Sequence, residues 1–391
     1  MVDNEQKPLS PDDVWRPTFA WIGPLVAWRI GLLLLALASI TLLPDIFNVE
    51  SWAGNPHWAQ AGEPDFSTHW KTWDSQHYLR IAEAGYEPGT RTSAFYPLWP
   101  LVIRAAAPLY AGNHLLAALV LANLLAVFAG LLLHRVIRER LGERIAGLSL
   151  LLCLAFPGAF FLGLPYSESL FLALVALFFF GLQTSRLPLA GFAAFLLPLC
   201  RPTGLLILAP FAVHCFNAWR NEGKESTQLL WAMTPLLGFA AYLGLMAGMA
   251  GDPLEGFAAQ GLFHTQSTIW RIFNIPGFVI FFFQGAEQIH GLTNSLLDRL
   301  WFIWLLVCLP AIWRLDKTWF AFAVVMGVIP CMTAPIVSFT RYALMLFPVF
   351  VVTARTLESP RGRPWALPVL IGFGGFQTLL MILHIHNMWA G

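Results

Sequence analysis

The chain has 391 residues, 57% hydrophobic and 12% charged, with a mean hydropathy of +0.64 and a formal net charge of +1. Soluble domains carry roughly a quarter charged residues, so the composition excludes an ordinary soluble enzyme, and the near-neutral charge gives no footprint for a nucleic-acid partner. The five cysteines stand singly inside apolar runs without CxxC spacing, which argues against a disulfide framework or a zinc site.

Several apolar runs approach the roughly 20 residues that cross a bilayer, so the expected class is an all-α polytopic membrane protein. A β-barrel would instead show short alternating segments. The polar, acidic start (DNEQ, then PDD) lacks the pattern of a signal peptide, so the first apolar run is expected to be a retained anchor. That run covers residues 19–44. Residues 45–112 form a large first loop, and 113–134 form the next span, ending in the basic stretch HRVIRERLGER. Residues 145–163 return. After the short turn LPYSES, Ser167 is placed to cap a further span, with Glu168 in its first turn. The apolar stretch 188–217 is interrupted by CRPTG and is expected as two short helices meeting at Arg201. A span over 229–250 and a second polar loop over 251–296 follow. Later spans are expected at 297–313, 318–337, 342–354 and 365–387. The total is about eleven, in one integral membrane domain over 1–391 with no internal repeat.

Placing HRVIRERLGER, TSR, WRNEGK, RLDK and ARTLESPRGRP on the same side as the N-terminus gathers most of the 23 basic residues there, which makes that side cytoplasmic. The first loop, LPYSES, CRPTG, the second loop and SFTRY then all face outward. The sequence is organised around the first loop's stretch WKTWDSQHYLRIAEAGYEPGTRTSAFYPLWPLVIR. Read as a helix, it puts Trp70, Trp73, Tyr78, Ile81 and Gly85 on one stripe and leaves Lys71, Ser75, Arg80 and Glu83 in water. Asp74 falls on the apolar stripe, where a carboxylate needs a partner or a task. AFYPLWP reads as a fixed, non-helical descent into the bilayer.

The unusual polar residues all lie on the outward face. Asp74, His77, Glu87, Arg91 and Arg104 come from the first loop; Tyr166 and Glu168 from LPYSES; Arg201 from the helix break; Gln260, His264 and Arg271 from the second loop; Arg341 from SFTRY. Arginine makes forked contacts to phosphate and stays charged when partly buried. One carboxylate with arginines at headgroup level suits a reaction on a lipid-linked phosphate, with the carboxylate taking a proton and the arginines balancing negative charge. Blander readings stand beside this one. Asp74 can be a cap or half of an ion pair. His77 can be an aromatic filler or a partner that orients Asp74. Glu168 can be an acid at a helix N-terminus held by the dipole, ahead of a substrate contact. Arg201 and Arg341 can snorkel to lipid phosphates, and Arg104 can be an interfacial anchor. His384 and His386 are two apart on a helix, a poor metal pair.

The first-loop stretch resembles the signature of the PIG-V-type mannosyltransferases. The matching residues are Trp73-Asp74, Tyr78, Ile81-Ala82, Gly85-Tyr86, Ala94-Phe95-Tyr96-Pro97-Leu98-Trp99-Pro100 and Arg104. Weaker collinear echoes lie in Pro165-Tyr166-Ser167-Glu168-Ser169, in Arg201 with Gly204, and in Arg341-Tyr342 before Phe347-Pro348. The resemblance implies a GT-C glycosyltransferase fold and an inverting transfer of a mannosyl or other hexosyl unit. The donor would be a polyprenyl-phosphate sugar and the acceptor a lipid or glycan. It implies Asp74 as general base and no cofactor or required metal, because arginines can hold the phosphate leaving group. His77, Tyr78, Arg104, Tyr166, Glu168, Arg201, Gln260, His264 and Arg341 are the expected substrate contacts. No retention signal of the endoplasmic reticulum is present, so a prokaryotic cell-membrane relative with its own acceptor is the expectation. The rival classes are a transporter or flippase using CRPTG as a broken helix, and an inactive partner subunit.

Overall fold

In the computed structural model, residues 11–54, 64–222, 227–263, 268–285, 295–333 and 336–390 are described. Among them the regular structure is helical, with no strand. Six helices are long and apolar enough to cross a membrane: Trp15–Leu42, His114–Leu141, Pro202–Arg220, Leu230–Ala250, Leu296–Leu315 and Arg363–Ile385. A seventh results if Glu143–Ala155 and Pro157–Gly163 are taken as one span bent by 82°. The eleven spans read from hydropathy are not all of this kind. The remaining apolar helices, Leu98–Tyr110, Glu168–Gln183, Leu187–Cys200 and Lys317–Thr333, are shorter, because prolines and polar residues interrupt the apolar runs before they reach full length.

The Glu168–Gln183 helix is the axis of the bundle. Its sequence ESLFLALVALFFFGLQ is apolar on every face, and nearly every residue is buried, as expected of a helix surrounded by other helices. It packs against His114–Leu141 on one side and Leu187–Cys200 on the other. The first of these buries the small residues Ala118, Ala122, Ala126 and Ala129, and small residues let helix backbones approach closely.

The polar break at CRPTG is where hydropathy put it. Leu187–Cys200 ends, Arg201 is fully extended, and a 3₁₀ turn over Pro202–Ile207 leads on. Gly204 presses against the preceding helix: a Cβ there would lie 2.0 Å from the Leu197 carbonyl oxygen. AFYPLWP behaves differently from the expected non-helical descent. A helix starts at Leu98, directly after Pro97, and tolerates Pro100 because it lies in the first turn, where no intrahelical N–H bond is lost.

Candidate active site

The helix Asp74–Ala84 begins at Asp74 itself. Trp70 sits in the preceding 3₁₀ turn and Gly85 ends the helix, so the buried face is Gln76, His77, Tyr78, Leu79, Ile81 and Ala82. Ser75 joins that face and is 1% exposed, against the expectation of a wet position, while Arg80 and Glu83 are exposed. The helix starts from an unusual turn. Trp73 has φ 52° and ψ −126°, a conformation that costs a residue with a side chain on the order of 1–3 kcal/mol and marks functional sites.

Asp74 Oδ2 accepts a bond of 2.6 Å from Arg341 Nη1. Arg341 in turn donates its Nε to Glu168 Oε1, and Arg201 Nη1 donates to the same oxygen at 2.5 Å. Asp74, Arg341, Glu168 and Arg201 therefore form one alternating chain of charges. Its members come from the first loop, the helix Phe339–Ala343, the N-terminus of the central helix and the break after Cys200. The side chain of Glu168 is wholly buried and those of Arg341 and Arg201 nearly so, whereas that of Asp74 is 25% exposed. The carboxylate at the open end is thus Asp74. Burial alone would lower the Arg341 pKa, but Glu168 and Asp74 beside it outweigh this and hold the guanidinium well above its usual value.

Aromatic rings surround the cations. Arg341 lies 4.9 Å from the Tyr166 ring and 5.3 Å from that of Phe161, and Arg201 lies 5.1 Å from the Tyr342 ring. Each ring face attracts the cation it meets. Each guanidinium has five donors. Arg341 spends two of them on Glu168 and Asp74, and Arg201 directs Nη1 to Glu168 and Ser167.

The helix carrying Arg341 is fixed from two directions. Asp298, fully buried, accepts from both the backbone N–H and the hydroxyl of Thr340 through Oδ1, each at 2.6 Å. On the other side the Thr340 carbonyl packs on Gly158, where a Cβ would come within 2.4 Å.

The other expected site residues divide. Tyr78 and Tyr166 join the cluster: Tyr78 Oη lies 2.8 Å from Ser167 Oγ, which is 3.4 Å from Arg201 Nη1. Ser167 stands at the N-cap position, but its side chain makes no cap bond; the expected capping role is replaced by this bridge. Tyr166 Oη donates to the Thr72 carbonyl at 3.2 Å and contacts His384 Nε2 at 3.0 Å. His77 stacks on Phe95 at 4.4 Å, with Nδ1 3.1 Å from Thr92 Oγ1. Gln260 reaches the first loop, donating to the Ala94 carbonyl at 3.3 Å, and Arg91 donates Nε to the Leu262 carbonyl.

Arg104 is not brought to the cluster. It donates to the Ala82 and Ile81 carbonyls, at 2.6 and 3.4 Å, and so caps the far end of the Asp74 helix, where the last carbonyls run short of helical partners. Arg271 lies in a separate 3₁₀ turn of the second loop. His264 lies outside the described residues. Among those described, no three His, Cys, Asp or Glu side chains gather as a metal-binding group. The sequence reading did not single out Ser167, Trp73, His384 and Asp298 as parts of the site. Trp73 and Ser167 carried a signal as members of the motif stretches, and His384 and Asp298 as polar residues in apolar stretches.

Residues 26–208, slightly under half the chain, match the family model described as Mannosyltransferase (PIG-V). No curated protein matches. Among solved structures, the chain is similar to ArnT from Cupriavidus metallidurans bound to undecaprenyl phosphate, at a TM-score of 0.52 and 11% identity, over 93% of this chain and 76% of that one. It is also similar to the Archaeoglobus fulgidus oligosaccharyltransferase in its apo form, at a TM-score of 0.46 and 14% identity, over 93% of this chain and 56% of the other. The chain thus spans little more than half the length of the archaeal protein. The likeness to ArnT supports the GT-C-like helical fold. Over residues 26–208, which hold Asp74, Glu168 and Arg201, the chain carries the sequence pattern of the mannosyltransferase (PIG-V) family.

Proposed function

We propose that this membrane glycosyltransferase moves a mannosyl or other hexosyl unit from a polyprenyl-phosphate donor to a hydroxyl of a lipid or glycan acceptor, on the extracytoplasmic face. The observation that carries the reading is the chain Asp74–Arg341–Glu168–Arg201, with its one partly exposed carboxylate at the open end. Asp74 keeps Oδ2 on Arg341 and accepts the acceptor's hydroxyl proton on its other oxygen. The acceptor oxygen bonds to the anomeric carbon from the face opposite the phosphate, inverting that centre. The bond from that carbon to the phosphate oxygen breaks, and its electron pair leaves with polyprenyl phosphate. Arg341 and Arg201 stabilise the charge that develops there. Glu168 is a positioning residue that holds both guanidinium groups, which agrees with its complete burial. His77 with Phe95, and Phe263 at 6.5 Å from His77, offer flat rings to a sugar or acceptor.

Helix length supports a reaction at the membrane boundary. At 1.5 Å per residue the 16-residue Glu168 helix spans about 24 Å, less than the roughly 30 Å hydrocarbon core. A helix whose C-terminal end lies at the cytoplasmic boundary therefore brings Glu168 to a point just beneath the outer headgroup layer that holds the lipid phosphates. With the short apolar helices counted as crossings of this kind, the eleven-span arrangement with the basic loops inside is our proposed topology.

Purified protein supplied with polyprenyl-phosphate-mannose tests the reading. Release of polyprenyl phosphate should vanish in Asp74→Asn and persist at a reduced rate in Asp74→Glu. Full activity in Asp74→Ala removes its assigned role, and counter-flow of an intact solute in liposomes without donor cleavage replaces the enzyme by a transporter. Because the two arginines supply the positive charge, activity should survive a chelator. Loss on chelation with recovery on adding a divalent cation would overturn the metal-independent mechanism.

A further inference from the structure

The turn that presents Asp74 is held by a part of the chain far from it in sequence. Trp73, in its left-handed conformation, donates Nε1 to the Met388 carbonyl at 3.2 Å, and its ring meets that of Trp389 edge-on at 5.0 Å. One residue earlier, the Thr72 carbonyl accepts from Tyr166, whose hydroxyl is backed by His384. The same terminal segment is anchored to the first loop at two further points and to the first membrane-spanning helix at one. The His386 carbonyl accepts from the Asn48 N–H at 2.9 Å, the Ile385 carbonyl lies 2.9 Å from His69 Nδ1, and His386 Nε2 lies 3.0 Å from Ser39 Oγ. His384, His386, Asn387 and Ala390 are each at most 2% exposed. This segment is therefore built into the floor of the first loop. It lies outside residues 26–208, and none of its atoms belongs to the acid–guanidinium chain.

We propose that residues 384–389 are a positioning device for Asp74: Met388 and Trp389 hold Trp73, and His384 with Tyr166 holds Thr72, so that the strained turn keeps the carboxylate aimed at Arg341 and the open side of the site. An unusual backbone conformation persists only where its surroundings over-determine it. Here those surroundings are one carbonyl, one indole and one tyrosine–histidine pair. Without them the Trp73 backbone relaxes toward an ordinary conformation, and the start of the helix turns with it. Arg341 stays in place, because Asp298 and Gly158 grip Thr340 independently. The distance between base and phosphate site is thus set by two separate clamps, and the terminal segment is the clamp on the base.

The inference rests on Asp74 acting as the base, and the test separates the two claims. The full chain is prepared as wild type, Trp389→Ala, Trp389→Phe, Trp73→Gly and the double variant W73G/W389A. Amide exchange of residues 72–76, read without any substrate, should rise in W389A and return toward wild type in W389F, with the rest of the bundle unchanged. Turnover of polyprenyl-phosphate-mannose should fall by about tenfold to a hundredfold in W389A, as expected when a reacting group is misplaced by up to about an ångström. KM for the donor should stay within about twofold, because the arginines are untouched. In the Trp73→Gly background a positive φ is no longer strained, so adding W389A should change turnover by less than about twofold. Unchanged exchange at 72–76 in W389A overturns the proposal. So does wild-type turnover in that variant, or a loss spread over kcat, KM and whole-bundle exchange that phenylalanine does not rescue. If the wild type cleaves no donor, the function reading fails, and the exchange measurement alone still decides the clamp.

Discussion

Glu168 gives the clearest case in which one residue's surroundings decide its role. As an acid in the first turn of a helix it would be stabilised by the dipole by about half a kcal/mol. In the folded chain it is fully buried and accepts from two arginines. Removing one partner from such a buried network typically costs about 3–5 kcal/mol, so Glu168→Gln should lower thermal stability markedly as well as turnover. A melting temperature equal to wild type would show that the arginines do not depend on it. Arg104 is the converse. It looks like a third phosphate ligand in sequence but caps the helix Asp74–Ala84. Arg104→Ala should cost about 1.5–3 kcal/mol of stability, the scale of one charged hydrogen bond, and leave KM for the donor unchanged. A large rise in KM would return Arg104 to the site.

At the scale of elements, the site is an assembly of chain ends and breaks. Arg201 is available because Leu187–Cys200 stops, and Arg341 because a short helix starts after Ser338 at φ 58°. Asp298 links Leu296–Leu315 to that short helix. Asp298→Asn keeps the shape but weakens both bonds to Thr340, so turnover should fall with smaller change in the fold than Glu168→Gln produces. The contact between the terminal segment and the first loop also carries a pH dependence. His69 and His386 face each other at 5.1 Å, and burial lowers both below the usual histidine value of 6.5, with Asp65 partly opposing this at His69. The folded state thus prefers both rings neutral. Their contribution is complete above pH 6.5 and is lost as the pH falls through the lowered values. Melting temperature should drop on acidification below pH 6.5, and His386→Gln should flatten that slope. An unaltered slope would assign the effect to other groups.

For the whole molecule, the question is which side of the membrane the site faces. The five native cysteines are all buried, so they do not compete with a single exposed reporter. On the proposed topology an impermeant maleimide added to intact cells should label Glu87→Cys and not Arg144→Cys. The reverse pattern would invert the topology and move the reaction to the cytoplasmic face.

Composition by itself determined the membrane class, because a chain so apolar and so poor in charge has no soluble fold available. The motif from Trp73 to Arg104 singled out Asp74, and an acid on an apolar stripe is legible in sequence because it is costly to bury. Hydropathy could not count the crossings, since it measures apolarity and not where a proline or an arginine ends a helix. Nor could it separate Arg341, which reaches Asp74, from Arg104, which does not. Both are arginines near a helix end, and a charge's role depends on the three-dimensional distance to its partner. The tertiary structure alone decided that residues 201, 168 and 341 join in one chain of charges that ends on Asp74, and that residues 384–389 close beneath it. Contacts between segments hundreds of residues apart are set by packing, and packing leaves no local trace in the chain.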